Sequence, residues 1–181
     1  MFRSSLGLLT ERMSKFKYKG VEANFGQEFK NIEGEVKKLP VHTPLHHDKK
    51  YWINMTARGL FTQWEQINRI SETSPKAAIL EAWLDLDIAV SAAARAAKID
   101  MIEFSSVVSQ ARELTDNGHV QQGIWSIITD LNKIKQKVEK SRDFSITYEE
   151  TMKFFDLALK IGNEFRNFSM ATHLAEVNNK T

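Results

Sequence analysis

The spacing of apolar residues between about residues 74 and 168 constrains the fold more than any other feature of this sequence. Four stretches of the region repeat apolar residues every three or four positions, as one face of an α-helix does. The fullest series is Ile124, Ile127, Ile128, Leu131, Ile134 and Val138. The connections between the stretches are short, which favours antiparallel neighbours. The sequence therefore predicts an all-α protein built on an antiparallel helical bundle.

Residues with strong positional preferences mark the ends of these predicted helices. Ser74 is a good N-cap, and Pro75 fits the first helical position because no N–H is needed there. Asn117-Gly118 predicts the end of the second helix. The pair Thr147 and Glu150 matches a capping box at the start of the fourth helix. That helix is expected to end near residue 168, with a frayed segment after it.

The first bundle helix carries two neighbouring apolar stripes, which predicts burial on most of its sides. The stripes are Ile79, Trp83, Leu86 and Val90, and Leu80, Leu84 and Ile88. Its charged residues, Glu81, Asp85, Asp87 and Arg95, would then form a narrow wet face. These acids could suggest a catalytic pair, but the exposed edge of a buried helix, or an ion pair with Arg95 or another chain, is the better interpretation.

The prolines divide the chain into an N-terminal extension with a loop, residues 1–50, and a helical domain, residues 51–181. Residues 2–13 could form a short helix, and FKYKGVEANF nearly alternates apolar and polar residues, as a small strand or hairpin does. GQEFKNIEGEVKKL is predicted to be an amphipathic helix. Residues 51–72 are predicted to add a helix to the bundle core at 74–168.

Composition excludes several functional classes. The chain has no cysteine, which excludes disulfides, thiol catalysis and thiolate metal sites and fits a cytoplasmic location. Neither an integral membrane segment nor a signal peptide is predicted, because the longest apolar runs are too short. The net charge of +2 favours no particular partner. No Gly-rich phosphate loop, G-x-S-x-G or H-E-x-x-H motif is present.

Three features of the bundle region together resemble a known family. They are Ser74-Pro75 leading into a hydrophobic and Ala-rich run, Gly118 ahead of the third helix, and Ile146-Thr147 followed by Glu149-Glu150. This pattern resembles the HEPN-like helical bundles of bacterial domains of unknown function. The resemblance implies a helical bundle that tends to form dimers in bacterial or phage conflict and regulatory systems. It spans residues 74–168.

The resemblance also implies where a ribonuclease site would lie. Active HEPN ribonucleases carry Arg, a polar residue, three further residues and His on the third helix, where the His acts on the ribose 2′-OH or the scissile phosphate. Lys135, Gln136 and Lys140 occupy these positions here. A lysine can hold a phosphate as a point charge, but it is a poor proton shuttle near neutral pH. The ribonuclease site is therefore expected to be lost.

The N-terminal segment FKYKGVEANFGQEF resembles a segment that follows a membrane helix in relatives. The matching residues are Lys17, Gly20, Glu22 and Phe25. No membrane helix is expected ahead of it here.

The candidate site is the run of cations LNKIKQKVEKSRDF, in which five of fourteen residues are Lys or Arg. Lys133, Lys137 and Lys140 share one helical face, and Lys135 and Arg142 share another. A solvated face with cations near the helix C-terminus is one interpretation. A phosphate-facing strip that binds RNA or DNA, with salt-sensitive affinity, is the other.

Histidines and tryptophans carry weaker signals. His42, His46 and His47 lie in a loop without the regular spacing of a zinc site, so no metal or other cofactor is predicted. The four Trp residues fall on apolar stripes, which favours core packing over base stacking. They are Trp52, Trp64, Trp83 and Trp125.

The residues and the resemblance together favour a non-enzymatic interaction or dimerisation module of a bacterial or phage conflict or regulatory system. A homodimer is expected, and a further protein partner is left open. One alternative is an RNA- or DNA-binding protein, or a divergent ribonuclease that uses Lys135 and Lys140. Another alternative is a membrane-adjacent adaptor that uses residues 1–40.

Overall fold

The computed structural model describes residues 25–39, 64–140 and 146–178. Within these ranges the chain forms six helices and no strand, which confirms the predicted all-α class. The helices are α1 (Phe25–Val36), α2 (residues 64–73), α3 (Pro75–Ala96), α4 (Val107–Asp116), α5 (Ile124–Lys140) and α6 (Tyr148–Asn178). The predicted helix at residues 2–13 and residues 16–24 of the predicted hairpin lie outside the described residues. Phe25, the last residue of that predicted hairpin, instead begins α1.

The predicted helix caps at residues 74, 117–118 and 147–150 are confirmed. The Ser74 hydroxyl accepts a 3.3 Å hydrogen bond from the Ala77 N–H, and Pro75 begins α3. Thr147 and Glu150 form the reciprocal capping box: the Glu150 carboxylate accepts from the Thr147 N–H, and the Thr147 hydroxyl accepts from the Glu150 N–H. These side chains satisfy N–H groups that have no partner within the helix.

The end predicted for the last helix near residue 168 is wrong. α6 continues to Asn178 and contains 31 residues. The segment after residue 168 has no Gly or Pro to stop a helix, and Met170, Leu174 and Val177 continue its apolar spacing. The last six described residues of the helix are all exposed.

The order of contacts along the helices gives their directions. α1 runs opposite to α5, because Glu28 contacts Lys137 while Ser126 donates to Glu35. α5 also runs opposite to α3, because Lys76 bonds the Glu139 carbonyl and Lys135 lies over the ring of Trp83. α6 begins at Tyr148, shortly after α5 ends at Lys140, and Glu164 of α6 contacts Gln121 just ahead of α5, so α6 runs back along α5. α3 and α6 are therefore parallel, and both are antiparallel to α5.

One hydrophobic core joins these helices. Among its fully buried side chains, α1 supplies Phe25, Phe29 and Ile32, and the other helices supply Leu86, Leu114, Ile128, Phe154 and Phe165. The predicted helix at residues 26–39 is thus confirmed as α1 and shares its core with the bundle. We expect these aromatic side chains to contribute much of the packing energy.

α3 ends with a lysine in a conformation that favours glycine. Lys98 has φ 59°, and the Ile99 N–H bonds the Ala94 carbonyl in a Schellman motif. α4 ends in the same motif, but there Gly118 takes the left-handed position with φ 71°. A side chain at such a position costs about 1 kcal/mol.

Lys98→Gly is therefore expected to raise the free energy of unfolding by about 0.5–1 kcal/mol, since strain relief exceeds the added chain entropy. Urea denaturation followed by circular dichroism measures the change. Gly118→Ala is the matched control and is expected to lower stability by a similar amount. A destabilising Lys98→Gly would contradict this account of the α3 terminus.

Candidate functional site

The predicted cationic strip on α5 is divided between two sides of the helix. Lys133 donates to Asp130 at 2.7 Å within α5. Lys137 donates to Glu28 of α1, and its ammonium lies 5.5 Å from the centre of the Phe25 ring. These two cations thus face carboxylates of the protein itself, and Lys137 fastens α1 to α5.

Lys135 lies on the opposite side of α5, toward α3. Its ammonium is 2.8 Å from the Glu139 carboxylate and 6.0 Å from the centre of the Trp83 ring, and its side chain is only 21% exposed. The position that the family resemblance assigns to a phosphate-binding Arg is therefore filled by a lysine with a carboxylate beside it. A bound phosphate would have to compete with that carboxylate.

Lys140 and Arg142 complete the predicted set. Lys140 ends α5, is exposed, and forms no ion pair with another described residue. Its place near the helix C-terminus suits a cation, because backbone carbonyls there carry partial negative charge. Arg142 lies outside the described residues. Of the five predicted cations, the structure therefore places three in ion pairs on different sides of α5 and leaves Lys140 exposed.

Lys133 keeps its charge across the physiological range. The hydrogen bond to Asp130, and then the charge of that carboxylate, raise the pKa of Lys133 above its ordinary value. A raised pKa means that the pair is fully present below the ordinary lysine pKa and is lost only as pH rises through the raised pKa. The pair is therefore constant near neutral pH and forms no pH switch there.

The second buried stripe predicted for α3 is wrong, because Leu80 is only partly buried and the other two residues are exposed. Leu84 is 50% exposed and Ile88 is 58% exposed, whereas Ile79, Trp83, Leu86 and Val90 are buried. The core reaches only one side of α3, because α4, α5 and α6 all pack on that side. An apolar face of α3 is therefore left in contact with solvent.

This face borders a shallow hollow of about 110 Å³. α2 turns back at Ser74 beside α3, so that both helices contribute to the walls. The lining residues are Gln66, Ile67, Glu81, Leu84, Asp85 and Ile88. Asp85 is held by an ion pair with Arg166 of α6, in which both side chains are about one third exposed. Asp85 therefore has a structural partner, and the suggested acid pair of Glu81 and Asp85 does not share a buried site.

A wider groove of about 610 Å³ runs between α1, Trp64 of α2 and α6. The charged residues along it alternate in sign: Glu33, Lys37, Glu149, Lys153, Asp156 and Lys160. Binding pockets for small molecules are mostly apolar, with a few converging polar groups. This open groove has apolar lining residues, among them Met152 and Phe155, but its charges of both signs are spread along its length.

The tryptophans differ in burial, although all lie on apolar stripes of the sequence. Trp83 is buried, as predicted, whereas Trp64 and Trp125 are exposed. The guanidinium of Arg112 lies 5.4 Å from the centre of the Trp125 ring, so an intramolecular cation covers one face of this indole. The prediction that Trp64 and Trp125 pack in the core is therefore wrong. Trp52 lies outside the described residues.

Residues 25–39, 64–140 and 146–178 bear on two of the predicted classes of site, those for metal ions and for membranes. No group of three or more His, Cys, Asp or Glu side chains there is arranged to hold a metal ion, and His42, His46 and His47 lie outside these ranges. No described helix is long and apolar enough to cross a membrane.

Sequence reasoning missed the solvent-facing part of α3, although the signal was present. Glu81, Ile88 and Arg95 follow one another at intervals of seven residues, which places two opposite charges in the same column as an apolar side chain. A row of side chains that faces the core would not carry charges at both of its ends.

Comparisons of the chain with models of protein families, with curated proteins and with solved structures yield no match.

Proposed function

We propose that this protein is a HEPN-like helical bundle that acts as a non-enzymatic, self-associating interaction module in a bacterial or phage conflict or regulatory system. The observation that carries the proposal is the exposed apolar face of α3, with Leu84 and Ile88 half or more exposed. Exposed apolar patches bordered by polar residues are typical of protein–protein contacts. The setting comes from the family resemblance alone.

The surroundings of the α5 cations support a role without catalysis. Lys135 and Lys140 stand where the resemblance has Arg and His, and Lys135 lies beside the Glu139 carboxylate. The exposed His119 contacts Phe168 with the two rings tilted by 38° and their centres 5.0 Å apart, in the C-terminal half of α6. In the described part of the chain, no imidazole contacts Lys135 or Lys140, so the proposal includes no proton transfer to or from RNA.

The intramolecular ion pairs also weigh against nucleic-acid binding as the main activity. Lys133, Lys135 and Lys137 each face a carboxylate within 2.8 Å. Binding a phosphate there would break these contacts, which costs free energy. The release of counterions from the nucleic acid would be the favourable contribution to binding. This alternative predicts binding to single-stranded RNA that weakens strongly with added salt, and that the triple change of Lys133, Lys137 and Lys140 to Glu abolishes.

Self-association is tested directly by multi-angle light scattering of the purified chain across a range of concentrations. We expect a mass of about two chains at tens of micromolar, since a modest apolar face gives micromolar affinity. Labelled single-stranded RNA is titrated with the same sample at two salt concentrations. A mass of one chain at every concentration would contradict the proposal, and salt-sensitive RNA binding by a single chain would favour the alternative.

A further inference from the structure

We infer that two copies of this chain associate through the solvent-facing side of α3, with the two α3 helices antiparallel about Ile88. This inference rests on the proposed self-association and identifies the surface that carries it. The surface, called the α3 face below, consists of Ala77, Glu81, Leu84, Ile88 and Arg95. These residues lie on one side of the helix, opposite the buried residues Ala82, Leu86 and Ala93.

Apolar side chains occupy the centre of the α3 face. Leu84 and Ile88 are neighbours four residues apart, and both are more exposed than is usual for large aliphatic side chains. The small side chain of Ala77 lies toward one end, where it allows close approach of another helix. Covering Leu84 and Ile88 in a dimer would remove apolar surface from water in both copies at once.

The charges at the two ends of the face identify a second copy as the occupant. Glu81 lies seven residues before Ile88, and Arg95 lies seven residues after it. Neither side chain forms an ion pair with another described residue. An antiparallel α3 centred on Ile88 brings Glu81 of each copy opposite Arg95 of the other. The face is thus complementary to itself, as a two-fold interface requires.

The same charges determine the direction of pairing. Parallel α3 helices would set Glu81 against Glu81 and Arg95 against Arg95, and like charges in contact are unfavourable. The Asp85–Arg166 ion pair lies at the edge of the face and neutralises a carboxylate that would otherwise repel a second copy. In the antiparallel arrangement, Glu81 and Arg95 each lie opposite a charge of the other sign, and Asp85 keeps its pair with Arg166.

The size of the face predicts a weak dimer. A helix of 22 residues is about 33 Å long, and a surface one helix wide buries less than the roughly 800 Å² per partner of tight complexes. The shallow hollow beside Leu84 adds room for a side chain of the second copy. We therefore expect a Kd on the order of micromolar, at which dimer and monomer coexist at concentrations that sedimentation can measure.

Charge reversal tests the pairing without removing apolar surface. Glu81→Arg and Arg95→Glu are each expected to raise the dimer Kd about tenfold, because each sets like charges opposite one another twice. The double variant is expected to return close to the original Kd, since the pairs are restored in reverse. Glu103→Arg, at an exposed residue outside the face, is the control and should leave Kd unchanged. Sedimentation velocity measures all four.

A cysteine at the centre provides a second measurement, because the chain has no cysteine of its own. Ile88→Cys places two thiols across the two-fold axis, where the roughly 4.4–6.8 Å between Cα atoms needed for a disulfide can be met. Mild oxidation with oxidised glutathione is expected to link most of the dimer covalently. Ile102→Cys, at a side chain that is 91% exposed and outside the face, should link far more slowly.

The outcomes separate this inference from the proposed function. If the unaltered chain is a monomer throughout, both fail. If it is a dimer whose Kd does not respond to Glu81→Arg, or if the double variant fails to restore the Kd, self-association stands and the antiparallel α3 contact is overturned. Equal crosslinking at residues 88 and 102 would also overturn it. An unchanged far-ultraviolet circular dichroism spectrum of each variant confirms that the fold is intact.

Discussion

Phe154→Ala is expected to lower the free energy of unfolding by about 3–5 kcal/mol, because it removes a fully buried ring and leaves a cavity in a close-packed core. Phe154 is on α6. Among the five fully described helices, α3 and α6 form the pair with the most extensive packing. Domains of this size are stable by only about 5–15 kcal/mol. The change therefore removes a large share of the total, and the melting temperature should fall by roughly 10 °C.

Urea denaturation monitored by tryptophan fluorescence and by circular dichroism measures this loss. The matched control is Ile102→Ala, which shortens an aliphatic side chain that is almost fully exposed and should change stability by less than about 0.5 kcal/mol. A loss below about 1 kcal/mol for Phe154→Ala would show that the packing between α3 and α6 is much looser than the burial of Phe154 indicates.

Phe29→Ala is the second change with a large expected effect, about 3 kcal/mol or more. Phe29 is the central apolar residue of α1, fully buried and 6.4 Å from Phe25 between ring centres. Its ring, with Phe25 and Ile32, covers part of the core formed by α5 and α6. If α1 is part of one cooperative unit, the whole protein should melt at lower temperature.

Hydrogen exchange distinguishes this result from local detachment of α1. Cooperative loss would speed exchange in α5 and α6 as well as in α1. Lys30→Ala, at the next residue along the same helix, is the control, because Lys30 is exposed and its replacement should have little effect. Fast exchange confined to α1, with an unchanged melting temperature, would show that the N-terminal helix is an independent extension.

Local sequence was sufficient for the helices whose ends carry strong signals. The caps at Ser74 and at Thr147 with Glu150 act within one helical turn, so the residues that determine them are adjacent in sequence. The α4 cap at Ser106 was not predicted, because its partner is Ser109 in place of the usual Glu or Gln. The end of α6 was misplaced because exposure of the last turns did not prevent them from continuing as a helix.

The candidate cations show where local reasoning ends. Sequence spacing correctly separates Lys133 and Lys137 from Lys135 on α5. It does not reveal that Glu28, more than one hundred residues away, contacts Lys137, or that Trp83 lies beneath Lys135. Whether a run of lysines is free to bind phosphate depends on carboxylates supplied by other helices, and their positions follow from packing.

The sequence by itself determined the helical class of this protein, most of its helix boundaries and the apolar character of each stripe, because these properties depend on residues within a few turns of one another. Only the tertiary structure decided which stripe of α3 is buried. Leu80, Leu84 and Ile88 are as hydrophobic as the residues that fill the core, but a helix buries only the side that its neighbours cover. The packing of α4, α5 and α6 on the opposite side leaves Leu84 and Ile88 in water.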